Sequence, residues 1–155
     1  MRIRLFKAHD AAETARLHRL TIQHINKKDY PPQQIAAWSG RTTAKRFRDS
    51  IAKLTRFVAE EKGKIVGFGD YNPQGELTGL YVHKDFQRKG IGNKLLQRME
   101  QQAYNDGLRM FHALSTITAK GFYDRQGYQT VRKTMHAIKG HKLVVYKMEK
   151  RLKKR

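Results

Sequence analysis

The chain contains no cysteine. That absence excludes disulfides, thiolate metal sites and a cysteine nucleophile, and it fits the reducing cytoplasm where we expect the protein. Acids are scarce: 13 Asp and Glu stand against 33 Lys and Arg, for a net charge of +20. Such a field favours anionic partners such as phosphate ligands, nucleic acid or a ribosome-like surface. No apolar run approaches the roughly 18 residues of a membrane span. The start, Met1-Arg2-Ile3-Arg4-Leu5, lacks the apolar stretch of a signal peptide. His112, His136 and His141 have no metal-like spacing with carboxylates, so no metal is expected. With 155 residues, 39% of them hydrophobic, the chain suits one domain with one core. We expect that domain over residues 1–149, followed by a basic tail over 150–155.

What is present centres on the stretch from Glu76 to Ala103. An apolar strand through Leu80, Tyr81 and Val82 runs into the basic loop Gln87-Arg88-Lys89-Gly90-Ile91-Gly92. Ile91, Leu95, Leu96, Met99 and Ala103 then share one helical stripe. The first N–H groups of a helix lack intrahelical partners, and the macrodipole places partial positive charge there. Such an end binds phosphate. Gly90 and Gly92 let a bulky anion approach the main chain, and Arg88, Lys89 and Lys94 add full charges beside it. The pattern predicts a diphosphate-bearing ligand. No P-loop string and no dinucleotide fingerprint occurs.

The remaining elements read in order. Ile3 and Leu5 alternate with basic residues as a half-buried strand. Asp10 and Glu13 have capping-box spacing, opening a helix whose face runs through Leu17, Leu20 and His24. Pro32 starts a short helix ended by Ser39-Gly40, and another helix spans about 42–53. Strands follow at 56–60, 65–71 and from Glu76, the last after the turn Asn72-Pro73-Gln74-Gly75. Beyond the phosphate helix come a strand at 109–114, a helix at 116–125 and strands at 128–136 and 143–148. The order gives an α+β domain with a mixed sheet, in which helix crossovers make the strands flanking the phosphate helix parallel.

Gln87-x-x-Gly90-x-Gly92 in this strand-loop-helix setting resembles the acyl-CoA signature of the GNAT superfamily of N-acyltransferases. Ala119-Lys120-Gly121-Phe122-Tyr123-Asp124-Arg125-Gln126-Gly127-Tyr128 resembles that family's second signature. Together they cover the chain from about Ile65 to Met148. The resemblance implies a central sheet splayed into a V, flanked by helices, and acetyl-CoA as co-substrate. It implies that Leu80, Tyr81 and Val82 pair with the pantetheine, and that the N–H groups from Arg88 through Lys89, Gly90, Ile91 and Gly92 to Asn93 hold the diphosphate. Gln87, Thr116 and Phe122 complete the cofactor side. Thr116 stands where the family often has Asn.

The implied chemistry is direct attack of an amine on the thioester in a ternary complex. Tyr123 is the family's usual acid for the leaving thiolate. Its other reading is a core aromatic. Glu76 is the candidate base or water-relay carboxylate, with Asp70 on the neighbouring strand beside the acceptor. Tyr30, Gln34 and Trp38 either wall the acceptor pocket or, in the case of Trp38, anchor the core. The acceptor is expected to be an amine on a small molecule, peptide or protein. The protein itself is expected to be a monomer or a homodimer. The alternative to an enzyme is a non-catalytic basic module for nucleic acid or the ribosome on the same fold.

Overall fold

Turn chemistry sets the middle of the sheet. In the computed structural model, which describes residues 1–155, the strands are β1 Arg2–Leu5, β2 Thr55–Glu61, β3 Lys64–Tyr71, β4 Glu76–Val82, β5 Met110–Thr116, β6 Gln129–Ile138 and β7 His141–Arg151. The helices are α1 Ala11–His24, α2 Pro32–Ser39, α3 Ala44–Asp49, α4 Ile91–Asn105 and α5 Lys120–Arg125. Reversals at Lys62-Gly63 and at Asn72 to Gly75 fold β2, β3 and β4 into an antiparallel meander. The whole sheet has the order β1-β2-β3-β4-β5-β7-β6, and only β4 and β5 run parallel. The α4 crossover between them requires this, since a parallel return cannot be made by a tight turn.

The sheet opens at its centre. β4 and β5 pair only at Glu76 with His112 and at Leu77 with Ala113. On the other side, Leu77 faces Tyr71 and Gly79 faces Asp70, so Thr78 is an extra, bulged residue. A bulge bends its strand and increases local twist. Past it β4 turns away from β5, which continues along β7 to Thr116 and Val145. The result is the splayed V. From Thr78 to Val82 the β4 main chain has no strand partner on its β5 side.

Helices cover both faces. The predicted stripe of α4 is fully buried. α4 lies so close to β3 that a Cβ on Gly69 would stand 2.5 Å from Met99 Cε. Each fully buried Leu or Met of this stripe contributes roughly 1.5–3 kcal/mol. Three apolar clusters result. One joins α4 to Phe111, Tyr123, Tyr128, Met148 and Leu152. A second places α1 and Phe47 of α3 against Val58, Ile65 and Phe68. A third packs Ile22, Tyr30, Ile35 and Trp38 on Ile138, Leu143 and Val145.

Several expectations differ from the structure. Asp10 and Glu13 do not form a capping box. Asp10 accepts from Arg4 at 2.8 Å and from the Lys7 N–H at 2.8 Å, whereas Glu13 accepts from the Ile65 N–H at 2.8 Å. Tertiary charge pairing outcompetes the local cap. The buried face of α1 runs through Ala11, Thr14, Ala15, Leu17, Thr21 and Ile22, and His24 and Leu5 are exposed. α3 and α5 are each shorter than expected, because turns fill the flanking residues. The segment 150–155 is no free tail. β7 runs to Arg151, Leu152 is 4% exposed and Lys150 pairs with Glu100 at 2.8 Å.

Candidate active site

On one side of the V, the loop after β4 leads into α4 through left-handed backbone at Arg88 (φ 60°) and Gly90 (φ 80°). Gly90 is the N-cap, and no side chain caps the helix. The first intrahelical bond runs from the Lys94 N–H to the Gly90 carbonyl. The N–H groups of Ile91, Gly92 and Asn93 therefore remain unpaired at the positive end of the helix. A Cβ on Gly90 would meet nothing within 4 Å, so the approach is open. Ile91 offers only its main chain, because its side chain is in the core. Asn93 Oδ1 is buried without a partner. Lys89 lies over the Phe86 ring, and Gln87 Nε2 donates to the Val82 carbonyl at 2.5 Å. Phe122 borders Gly92, where a Cβ would stand 3.5 Å from its ring.

Tyr123 lies behind the opening, 6% exposed, edge-on to Phe122 and Tyr128. Burial, with the Asp70 charge nearby, pushes its phenol well above the ordinary value. It stays protonated through the neutral range and is available as a donor. Thr116 Oγ1 accepts from the Ala119 N–H at 3.1 Å, fixing the turn into α5.

On the other side of the V is a cavity of about 810 Å³. Thr78, Gly79 and Tyr81 of β4 and Thr116 of β5 contribute to it, so it reaches the same opening. Trp38 lines it from α2, and His18 and Phe47 line it from α1 and α3. Its charged lining is Arg41, Arg46, Arg56, Arg132 and Lys147 against Asp70 and Glu76.

The acids play unequal parts. Asp70 is 3% exposed and accepts from Arg56 Nε at 2.6 Å and from the Thr78 hydroxyl at 2.5 Å. Arg56 also donates to the Phe47 carbonyl and to Ser50 Oγ, and it stacks on Phe6 and Phe47. Asp70 is thus spent inside a buried network. It braces the Thr78 bulge. Glu76 stands exposed at the cavity rim and accepts from Asn72 Nδ2 at 3.0 Å.

The three expected acceptor-wall residues separate. Trp38 packs in the third cluster, as a core anchor would, and also lines the cavity. Tyr30 packs edge-on to Trp38 but does not line the cavity. Its hydroxyl donates to the Val144 carbonyl at 2.7 Å and accepts from the Ile117 N–H at 2.8 Å. Beside it Asp29 accepts from the Thr118 hydroxyl at 2.7 Å. Together they latch the loop before α5. Gln34 is partly exposed and off the cavity.

His18 and the α2–α3 arginines were missed. His18 lies 4.3 Å from the Tyr81 ring, with neither ring nitrogen hydrogen-bonded. Burial and then the charges of Arg46, Arg56 and Arg41 push its pKa down to about 3, so it is neutral. The signal was present: Ala11, Thr14, Ala15, His18, Thr21 and Ile22 recur at three- and four-residue steps, and the polar members hid the stripe.

A sheet parted at its centre, with an unpaired helix start on one side and a cavity on the other, is a frame suited to a group-transfer enzyme. Residues 26–152 match the acetyltransferase (GNAT) domain family, and the chain belongs to it. It is an acetyltransferase. The uncharacterised N-acetyltransferase YafP of Escherichia coli is 26% identical over 143 residues, covering 90% of this chain and 89% of that protein. The crystal structure of a GCN5-related N-acetyltransferase from Rhodopseudomonas palustris superposes with a TM-score of 0.92 at 25% identity, over 97% of this chain and 95% of that one. The PaiA N-acetyltransferase of Thermoplasma acidophilum, solved in complex with coenzyme A, shares the fold with a TM-score of 0.80 at 17% identity, over 97% and 99% of the two chains.

Proposed function

We propose that the protein transfers an acetyl group from acetyl-CoA to a primary amine by direct attack in a ternary complex. The observation that carries this reading is the parted β4–β5 pair, which opens on an anion-binding helix start to one side and on a cavity to the other. Acetyl-CoA supplies an activated acetyl thioester, and the coenzyme A complex of the PaiA relative supports its use here. The unpaired N–H groups at the start of α4 and the open space over Gly90 fit a diphosphate. The unpaired β4 main chain from Leu80 to Val82 fits a pantetheine arm. The Val82 carbonyl becomes free when Gln87 swings aside.

The reaction forms one C–N bond and breaks one C–S bond. The proton lost by the amine ends, directly or through solvent, on the coenzyme A thiol. Backbone N–H groups past the bulge are placed to stabilise charge on the carbonyl oxygen. Tyr123 holds its proton because it is buried with the Asp70 charge nearby, and it serves as donor to the departing thiolate. Glu76, at the rim and without a cationic partner, is the acid that accepts the amine's proton through water.

Calorimetric titration with acetyl-CoA at moderate and high salt tests the first half. Saturable binding that survives salt and is not matched by a plain polyanion is expected. Tyr123→Phe tests the second half. Turnover should fall roughly a hundredfold, the low end for a general acid, with acetyl-CoA affinity unchanged. Unaltered turnover would remove Tyr123 from the chemistry.

A further inference from the structure

The acceptor cavity has an electrostatic polarity that restricts what can occupy it. Arg41 of the α2–α3 turn and Arg46 of α3 line the cavity, and neither guanidinium has a carboxylate or hydrogen-bonding partner in the chain. The Lys139 ammonium reaches the end of α2: a Cβ on Gly40 would stand 3.1 Å from its Nζ. Arg41 is partly buried, and burial together with the Arg46 charge holds its pKa below the ordinary value. Arg46 beside it is exposed, so the pair leaves positive charge at the cavity wall that an anion would offset. The cavity's own acids do not, since Asp70 is committed to Arg56 and Glu76 sits at the rim beside Asn72.

Resting on the acetyltransferase reading above, we propose that the acceptor is an amine carrying a carboxylate, its anionic end on Arg41 and Arg46 and its amine toward the Thr78 bulge. A planar carboxylate matches the guanidinium fork. Trp38, on the same cavity wall, gives the body of such a molecule an aromatic face. The same arrangement disfavours polyamines, which would bring further positive charge against unpaired arginines.

The test uses matched acceptors with the full chain and acetyl-CoA, following thiol release: L-phenylalanine, L-phenylalaninamide and spermidine. The carboxylate should exceed the amide in kcat/KM by roughly tenfold to a hundredfold, the worth of a charge-assisted contact. In R41Q and in R41Q/R46Q this ratio should collapse toward one through KM, with acetyl-CoA affinity by calorimetry unchanged. Preference for the amide or for spermidine, or a ratio unchanged in the variants, overturns the proposal.

If none of the three amines is turned over, benzoate titrated into the acetyl-CoA complex decides, read by the fluorescence of the sole tryptophan, Trp38. A saturable change lost in R41Q/R46Q supports the anion site. No saturable change, or one retained in the variant, sinks it. Loss of acetyl-CoA binding itself would instead count against the acetyltransferase reading, so the two failures are separable.

Discussion

Asp70→Asn is the substitution whose outcome follows most directly from the geometry. The carboxylate is 3% exposed, and Arg56, 5% exposed, donates to it at 2.6 Å. Asparagine keeps the shape and an acceptor for the Thr78 hydroxyl, but it turns an NH2 group toward the Arg56 N–H and leaves the guanidinium uncompensated. Breaking a buried pair from one side costs about 3–5 kcal/mol. Arg56 retains the Phe47 carbonyl and Ser50 Oγ, both at 3.0 Å, and two aromatic faces. The low end, about 3 kcal/mol, is therefore expected. At about 2–4 °C per kcal/mol for a chain of this size, the melting temperature should drop by roughly 6–12 °C. Thermal unfolding at pH 7 measures it. Arg56→Met with Asp70→Asn should lose less than the sum of the single variants, because no charge is then stranded. A D70N protein that melts with the wild type but binds acceptor poorly would refute the structural assignment and return Asp70 to the acceptor.

Three further outcomes are expected. Gly90→Asp should abolish measurable acetyl-CoA binding by calorimetry, since it adds strain at φ 80° and a negative charge at the helix start. Gly90→Ala, with open space around the new methyl, should lose only about 1 kcal/mol of stability, and equal acetyl-CoA affinity in wild type and G90D would move the diphosphate elsewhere. His18 is neutral in the fold, with a pKa near 3 against an ordinary 6.5. Only the unfolded chain takes up this proton between those values, so stability is complete above pH 6.5 and falls as pH drops, by about 2 kcal/mol at pH 5. Denaturant titrations of wild type and His18→Phe at pH 7.5 and pH 5 check this: the variant should lose that part of the slope. Leu152→Ala should cost about 2–4 kcal/mol by denaturant titration, whereas deleting residues 153–155 should cost little.

The order of elements and the phosphate-loop helix were legible in the sequence because each rests on local rules. The α4 stripe, the Asn72 to Gly75 turn and the glycines at the helix start depend on neighbours a few residues away. The open helix start proposed for the diphosphate came with them. The acceptor side was legible only in part. Trp38 was found, but Tyr30 serves a latch to β7 and the α5 loop, and no local pattern encodes a hydroxyl bridging residues so far along the chain. Asp70 was expected beside the acceptor, and its partner Arg56 becomes visible only when β2 and β3 are set in register. His18, Arg41 and Arg46 were lost for another reason. Polar residues in a helical stripe and in a turn read as solvated until the layer that encloses them is assembled.

The separation of the apolar clusters has a consequence for how this molecule can change. The side proposed for coenzyme A, with α4, Tyr123 and Tyr128, stands on one cluster. The helices bounding the acceptor cavity stand on two others. Tyr81 packs partly against both of these and not against the first. Side chains around Trp38, Arg41 and Arg46 can therefore be exchanged without touching the α4 cluster. On the proposed reading, new acceptor preferences are reachable by single steps that leave the α4 cluster intact, and a library over residues 38–46 is the place to look for them.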